Sequence, residues 1–299
     1  MTTPSLDTEF RGRKASGFQD FTRRLFKSVP GTIGLVVVLI LLFTAIFAKQ
    51  LAPNDPYRID LRHKLMPLWF MEGGDISRPL GTDTLGRCIL SRLIYGSRVS
   101  LLVGSISILL GATLGTAVGL FAGYFSARID AIISWIMNVQ LAFPFTLLAL
   151  FVMAAFGGGL VTLIAVLAIG VWVRYARIMR GTVLSVKQDT YVDAAKAAGV
   201  SLPRILSRHI LPNSFAPIIV IASFTLADTI LAEAGLSFLG LGLNPRIPTW
   251  GQMLSDGKDY LQSNWWIAVV PGLAISMTVL GINLFGDWLR DYLDPRLKI

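Results

Sequence analysis

Between Ala131 and Val173 the chain carries no charged side chain at all. Few folds can absorb such a run. A membrane-crossing helix needs about 20 predominantly apolar residues, so the interval is too long for one span and fits two. The stretch "FGGG", Phe156 to Gly159, falls inside it and supplies the break, because glycine ends a helix at little steric cost. Three further charge-free intervals, Ser28 to Ala48, Val99 to Ala127 and Tyr260 to Gly286, each suffice for one span, and Asn213 to about Leu236 gives another. The fold class expected is therefore an all-α polytopic membrane protein with six transmembrane helices. Composition agrees: 54% of the 299 residues are hydrophobic and 15% charged, where soluble domains carry about a quarter.

The net charge of +9 could suit nucleic acid, but with apolar runs this long it reads as the basic bias of loops that stay inside. With the amino terminus inside, 17 of the 27 Lys and Arg residues fall on the inner pieces 1–29, 123–131, 174–213 and 288–299. Both termini are then cytoplasmic. The expected organisation is an amino-terminal arm over 1–29, with an amphipathic stretch from Phe18 to Lys27, and a transmembrane domain over 30–287. Outer loops occupy 49–98 and 236–264, an inner loop 178–213, and a tail 288–299. The polar first 27 residues give no signal peptide. One cysteine, Cys88, excludes an internal disulfide or cysteine-built zinc site, and two histidines, His63 and His209, argue against a metal centre. Gly111, Gly115, Gly119 and Gly123 put a glycine stripe on the second span, where another helix can approach closely.

The inner loop contains "YVDAAKAAGVSLPRILSRHILPN", Tyr191 to Asn213. It reads as two short helices about a glycine. Asp193 to Ala198 favours helix, and Gly199 fits the left-handed residue that ends one. Ser201 can cap the next, with Pro203 in its first turn and Pro212-Asn213 stopping it. Ile205, Leu206, His209 and Ile210 form its stripe, while Arg204 and Ser207 face elsewhere. Such a unit suits a groove on a partner or, equally on physics alone, a lipid headgroup surface.

The segment resembles the EAA loop of ABC importer permeases, whose pattern is E-A-A, three residues, G, nine residues, I, one residue, L-P. Asp193-Ala194-Ala195, Gly199, position 209 and Leu211-Pro212 match the spacing; Asp193 replaces the glutamate and His209 the isoleucine. "PLGTDTLGRCILSRLIYGSRVSLL", Pro79 to Leu102, is similar to a signature of the peptide/nickel branch, with Cys88 where that branch usually has Asp. "LAFPFTLLAL", "EAGLSFLGLG", "PTWGQML" and "NLFGDWLRDYLDPR" follow in the same order. The resemblance is to a C-type permease subunit of a dipeptide or oligopeptide importer of the type I fold, in a bacterial inner membrane.

What the resemblance implies is specific. A second, B-type permease completes the channel, two ABC ATPases dock on the EAA loops, and a periplasmic or lipid-anchored binding protein delivers substrate. Peptide is the first substrate class, with nickel-chelate, glutathione and opine importers sharing these motifs. The coupling residues implied are Asp193, Ala194, Ala195, Gly199, Arg204, His209, Leu211 and Pro212. The chain is expected to bind no cofactor, with ATP and Mg on the ATPases. "GQMLSDGKD", Gly251 to Asp259, has five residues between its glycines where a phosphate loop has four, and Asp259 where Ser or Thr would hold magnesium. Asp228 and Glu233 lie within the fifth span, where carboxylates are functional candidates. Five residues turn a helix about 500°, so the two cannot share a face. Asp228 is the candidate for the substrate pathway or for a hydrogen bond to a neighbouring helix; Glu233 fits the outer interface as well as the pathway. No nucleophile with a base and no paired carboxylates on one face suggest an enzyme, and no internal repeat suggests a self-sufficient secondary transporter.

Overall fold

The computed structural model describes residues 17–293, and within it the side chains of residues 17–19 and of His209 lie outside what is described. The outermost parts of the expected arm and tail, 1–16 and 294–299, also lie outside the described residues. Among the described residues the architecture is helical, with one isolated bridge between Thr82 and Cys88.

The amphipathic stretch near the amino terminus is a helix, α1 (Gly17–Lys27). It buries Leu25 and sets the Phe21 ring edge-on to Trp288 at 4.9 Å. The Ser28 hydroxyl accepts from the Gly31 amide at 3.2 Å and starts α2 (Val29–Ile46), which a short α3 (Ala48–Leu51) extends. A long loop then leads to α4 (Ile89–Tyr124). Next come α5 (Ala127–Ala142), α6 (Phe145–Phe156) and α7 (Leu160–Val186). The remaining elements are α8 (Thr190–Ala197), α9 (Leu202–Ile205), α10 (Leu211–Phe238), α11 (Trp250–Gly257) and α12 (Trp266–Leu293).

Five helices, α2, α4, α7, α10 and α12, are long and apolar enough to cross a membrane. The pair α5–α6 passes the same test only when taken together, bent by 87° between its halves, and makes a sixth when counted as one broken span. The glycine run at 157–159 does separate α6 from α7, as its composition implies, but the bend at Phe143–Pro144 corrects the reading of an unbroken third span. Its cause is local: Pro144 offers no amide hydrogen and disfavours helix at Phe143, which is extended (φ −91°, ψ 129°). The second span begins at Ile89, ten residues before the charge-free interval, because Arg92 and Arg98 ride on a helix that continues past its apolar part. The last span runs on to Leu293, past Gly286.

The glycine stripe of α4 lies against α7. A β-carbon on Gly115 would stand 2.2 Å from the Trp172 carbonyl oxygen, and one on Gly119 2.3 Å from that of Ala176. No side chain fits there, so backbones meet directly and fix the α4–α7 pair as the spine of the bundle. Successive crossings put the α4–α5 turn and the α8–α9 segment at one end, with the loop before α4 and α11 at the other.

Candidate functional site

At one end, the segment from Thr190 to Asn213 has a buried side and a bare side. Val192, Ile205 and Ile210 are buried with Met179 and Val183 of α7, and Val200, Leu206 and Leu211 pack around them. The opposite side exposes Asp193, Ala194, Lys196, Arg204 and Pro212. Apolar spacing anchors the hairpin, and what is left over faces out.

The turn between the two helices is built as the sequence implies. Gly199 has φ +75°, its amide donates to the Lys196 carbonyl at 3.0 Å, and the Val200 amide donates to Ala195 at 3.0 Å. This paired closure satisfies the last carbonyls of α8 and needs a left-handed residue at Gly199. Ser201 has the extended backbone of a cap but makes no side-chain capping bond, which corrects the role expected of its hydroxyl. Pro212 is a second correction: it does not stop the helix. Leu206–Ile210 forms a π-helical turn, in which the Leu211 amide donates to Leu206, and the chain continues into α10. The wider turn carries Pro212, which has no amide to donate, at the start of a continuing helix. Asp193 stands in the first turn of α8 with its side chain 64% exposed, 2.9 Å from Lys196 Nζ. An exposed pair of this kind is worth about 0.3–0.5 kcal/mol. Asp193 is thus held loosely. Lys187 Nζ donates to the Gly123 carbonyl at 2.8 Å and ties the root of the hairpin to the end of α4.

The two carboxylates of α10 fall in different surroundings, as their angular separation requires. Asp228 lines a cavity of about 440 Å³ between α6, α7 and α10 and pairs with Arg174 of α7. Glu233 is fully buried against α4, accepting from Ser237 Oγ at 2.7 Å and Ser100 Oγ at 3.3 Å. It is enclosed by its own chain.

A third constellation, at the other end, carries no role in the sequence reading. Asp83 Oδ2 takes Arg87 Nε at 2.6 Å and Arg92 Nη1 at 3.0 Å, while its Oδ1 accepts the Leu85 and Arg87 amides, each at 2.9 Å. Asp256 of α11 lies 3.2 Å from Arg87 Nη2 and accepts from Gln252 Nε2 at 2.8 Å. Burial pushes the Asp256 carboxyl up, and the bonds from Gln252 and Arg87 offset part of that push. Trp250 Nε1 donates to the Leu93 carbonyl at 2.9 Å and completes the closure of α11 onto α4. The signal was present in "LGTDTLGRCILSR", but which Arg meets which Asp depends on α11, far along the chain. Cys88 is buried at the amino-terminal cap of α4 and makes no side-chain capping bond; a thiol is a weak acceptor there. Among the described residues no cluster of His, Cys, Asp and Glu could hold a metal ion.

Comparison with known proteins places this geometry. Residues 115–299 match the family described as binding-protein-dependent transport system inner membrane component, and residues 16–67 match the N-terminal TM domain of oligopeptide transport permease C. The chain is 42% identical over 265 residues to the di/tripeptide transport system permease protein DppC of Pseudomonas aeruginosa, covering 89% of this chain and 88% of that one. It is 43% identical over 280 residues to the dipeptide permease DppC of Escherichia coli (94% and 93% covered). It is also 40% identical over 281 residues to the glutathione permease GsiD of Pectobacterium atrosepticum (94% and 92%). In fold it is similar to the solved inward-facing MetNI methionine ABC transporter, with a TM-score of 0.56 at 21% identity over 68% of this chain and 96% of that chain. The bent third span, the anchored hairpin with its bare face and these matches agree: the chain belongs to the family of binding-protein-dependent transport system inner membrane components and is a multi-pass permease subunit of an ABC transporter.

Proposed function

We propose that the chain is the C-type permease of a peptide importer in a bacterial cytoplasmic membrane, forming half of a translocation channel whose other half is a B-type permease. Two separate ABC ATPase subunits bind ATP and Mg and carry out hydrolysis; this chain binds no cofactor. A periplasmic or lipid-anchored binding protein delivers the peptide to the 49–98 and 236–264 side. Both termini and the 178–213 loop lie in the cytoplasm.

The observation that carries the reading is the hairpin of α8 and α9. Its apolar side is packed against α7, its turn is closed by backbone bonds, and its polar side, where Lys196 bonds Asp193 and Asn213 bonds Tyr191, stays exposed. A lever for an outside partner has that construction. ATP-driven closure of the ATPases would pull the hairpin, and the long helices would rock as rigid bodies. Peptide is favoured as substrate by the relatives named above, two of which are di- or tripeptide permeases.

The test is reconstitution of the four membrane and ATPase components with binding protein in proteoliposomes. Peptide uptake that needs ATP and stops when the ATPases are left out is expected. Uptake by the two permeases alone would overturn the reading in favour of a secondary transporter.

A further inference from the structure

Arg174 and Asp228 are the fifteenth residue of α7 and the eighteenth of α10, so both lie deep within membrane-crossing helices. Their side chains are nevertheless 52% and 54% exposed. Charges at such depth are costly in hydrocarbon and belong on a wet cavity or a protein partner. Here they face the cavity of about 440 Å³, whose other walls are mostly apolar, including Phe145, Leu231 and Leu239. The volume falls in the range of about 300–1,000 Å³ typical of small-molecule sites.

One turn further along α7, Arg177 is also exposed and has a neutral partner, Asn138 Oδ1 at 2.9 Å. Its charge is uncompensated. Arg177 does not line the cavity but stands one turn beyond Arg174, so this side of the bundle presents one carboxylate and two guanidiniums, net positive by one, with Arg174 and Arg177 about 4.5 Å apart along the helix axis. A structural lock would look different. The arginine that does lock this fold, Arg92, is 1% exposed, and its partner Asp83 is bonded on both oxygens.

We propose that Asp228, with Arg174 and Arg177, is a specificity-determining site for zwitterionic substrate inside the permease, Asp228 taking the ammonium and the guanidiniums the carboxylate of a short peptide. This rests on the peptide-importer reading above and goes beyond it, since it places selection in the channel as well as in the binding protein. Without substrate, Arg174 and Asp228 neutralise one another. An arriving peptide exchanges its own charges for theirs, and Arg177 keeps a positive charge ready for the carboxylate as the substrate moves on. The mostly apolar walls accept peptide side chains.

The experiment uses the complete importer in proteoliposomes, with trialanine, N-acetyl-trialanine and trialanine amide as substrates. The fraction of binding protein loaded with each is measured first, and uptake is compared at equal loaded concentration. Wild type should carry trialanine at least about tenfold faster than either capped peptide, as a site that pairs with a substrate's charged end rejects an analogue lacking it. Asp228→Asn should bring the preference over the acetylated peptide to about one while keeping that over the amide; Arg177→Gln should do the reverse. Asp228→Glu should keep both preferences. Equal wild-type rates for the three peptides would overturn the proposal, as would variants that keep both ratios or slow all three peptides in the same proportion. Failure of wild type to import trialanine at all would strike the peptide-importer reading itself, a separate result.

Discussion

Asp83 and Asp193 each belong to a motif held in place by a left-handed glycine, yet the molecule treats them in opposite ways. Asp83 is 4% exposed and engages two arginines and two amides. Asp193 pairs with Lys196, three residues along its own helix, and faces solvent. At the Asp83 end, charge is spent on closing α11 onto the start of α4. At the Asp193 end, closure is achieved by apolar contacts and backbone bonds, and charge is left free. Residues that hold the fold are satisfied inside it, and residues left over at a rigid, well-anchored place are available to another subunit.

The comparison breaks first at Asp83. Asp83→Ala would leave Arg92 with only Asp256, 3.8 Å from its Nη2, and its Nε and Nη2 already lack hydrogen-bond partners. Removing one member of a buried ion pair costs about 3–5 kcal/mol. A lowered thermal unfolding midpoint in purified permease and less protein in the membrane are expected. A midpoint equal to wild type would show that the cluster does not hold this end together.

A smaller loss is expected at Gly199. A β-carbon there would meet nothing within 4 Å, so Gly199→Val is opposed by backbone conformation alone, at about 1–2 kcal/mol. Peptide uptake should fall with little change in the amount of permease in the membrane, and Gly199→Asn should be tolerated because asparagine adopts this conformation more readily. Full uptake by the valine variant would show that the turn is not part of the lever.

The smallest effect concerns the surface of the long loop before α4. The bond from Arg78, with help from His63, holds the Asp60 carboxyl at about 2 against an ordinary 3.8. A carboxyl lowered by folding stabilises the folded state above its unfolded value, and that contribution fades as pH falls from 3.8 through about 2. Arg78→Ala should move the fading up toward the ordinary value, visible as an earlier acid transition in loop proteolysis. An unchanged acid transition would remove Arg78 as the cause.

Much of this was legible in the residues. Charge-free intervals marked the spans because hydrocarbon excludes charge over a fixed length, and the stripe of Gly111 to Gly123 marked the helix contact because only glycine allows it. Asp193 to Gly199 was legible because helix and turn are local. Pro144 was misread as an ordinary member of an apolar run, since hydropathy does not register a missing amide. Pro212 was misread for the complementary reason: a π turn just before it lets the helix continue, and no composition announces that turn. The Asp83 cluster was hidden because its fourth member, Asp256, lies on a helix far along the chain. Arg174, partner of Asp228, was counted only as a basic residue at the edge of a span.

The central claim is that Asp193 is held out for the ATPase. Its own helix gains only about 0.3–1 kcal/mol from a carboxylate in the first turn, so substitution there should leave the permease intact. A partly desolvated pair with a cationic group on the partner would be worth more, and its loss would leave that cation unpaired. The direct measurement is co-purification of the ATPases with Asp193→Ala and Asp193→Glu permeases, at matched amounts in the membrane. The account predicts that the alanine variant loses its ATPases and the glutamate variant keeps them. An alanine variant that retains its ATPases and imports peptide at the wild-type rate would contradict it.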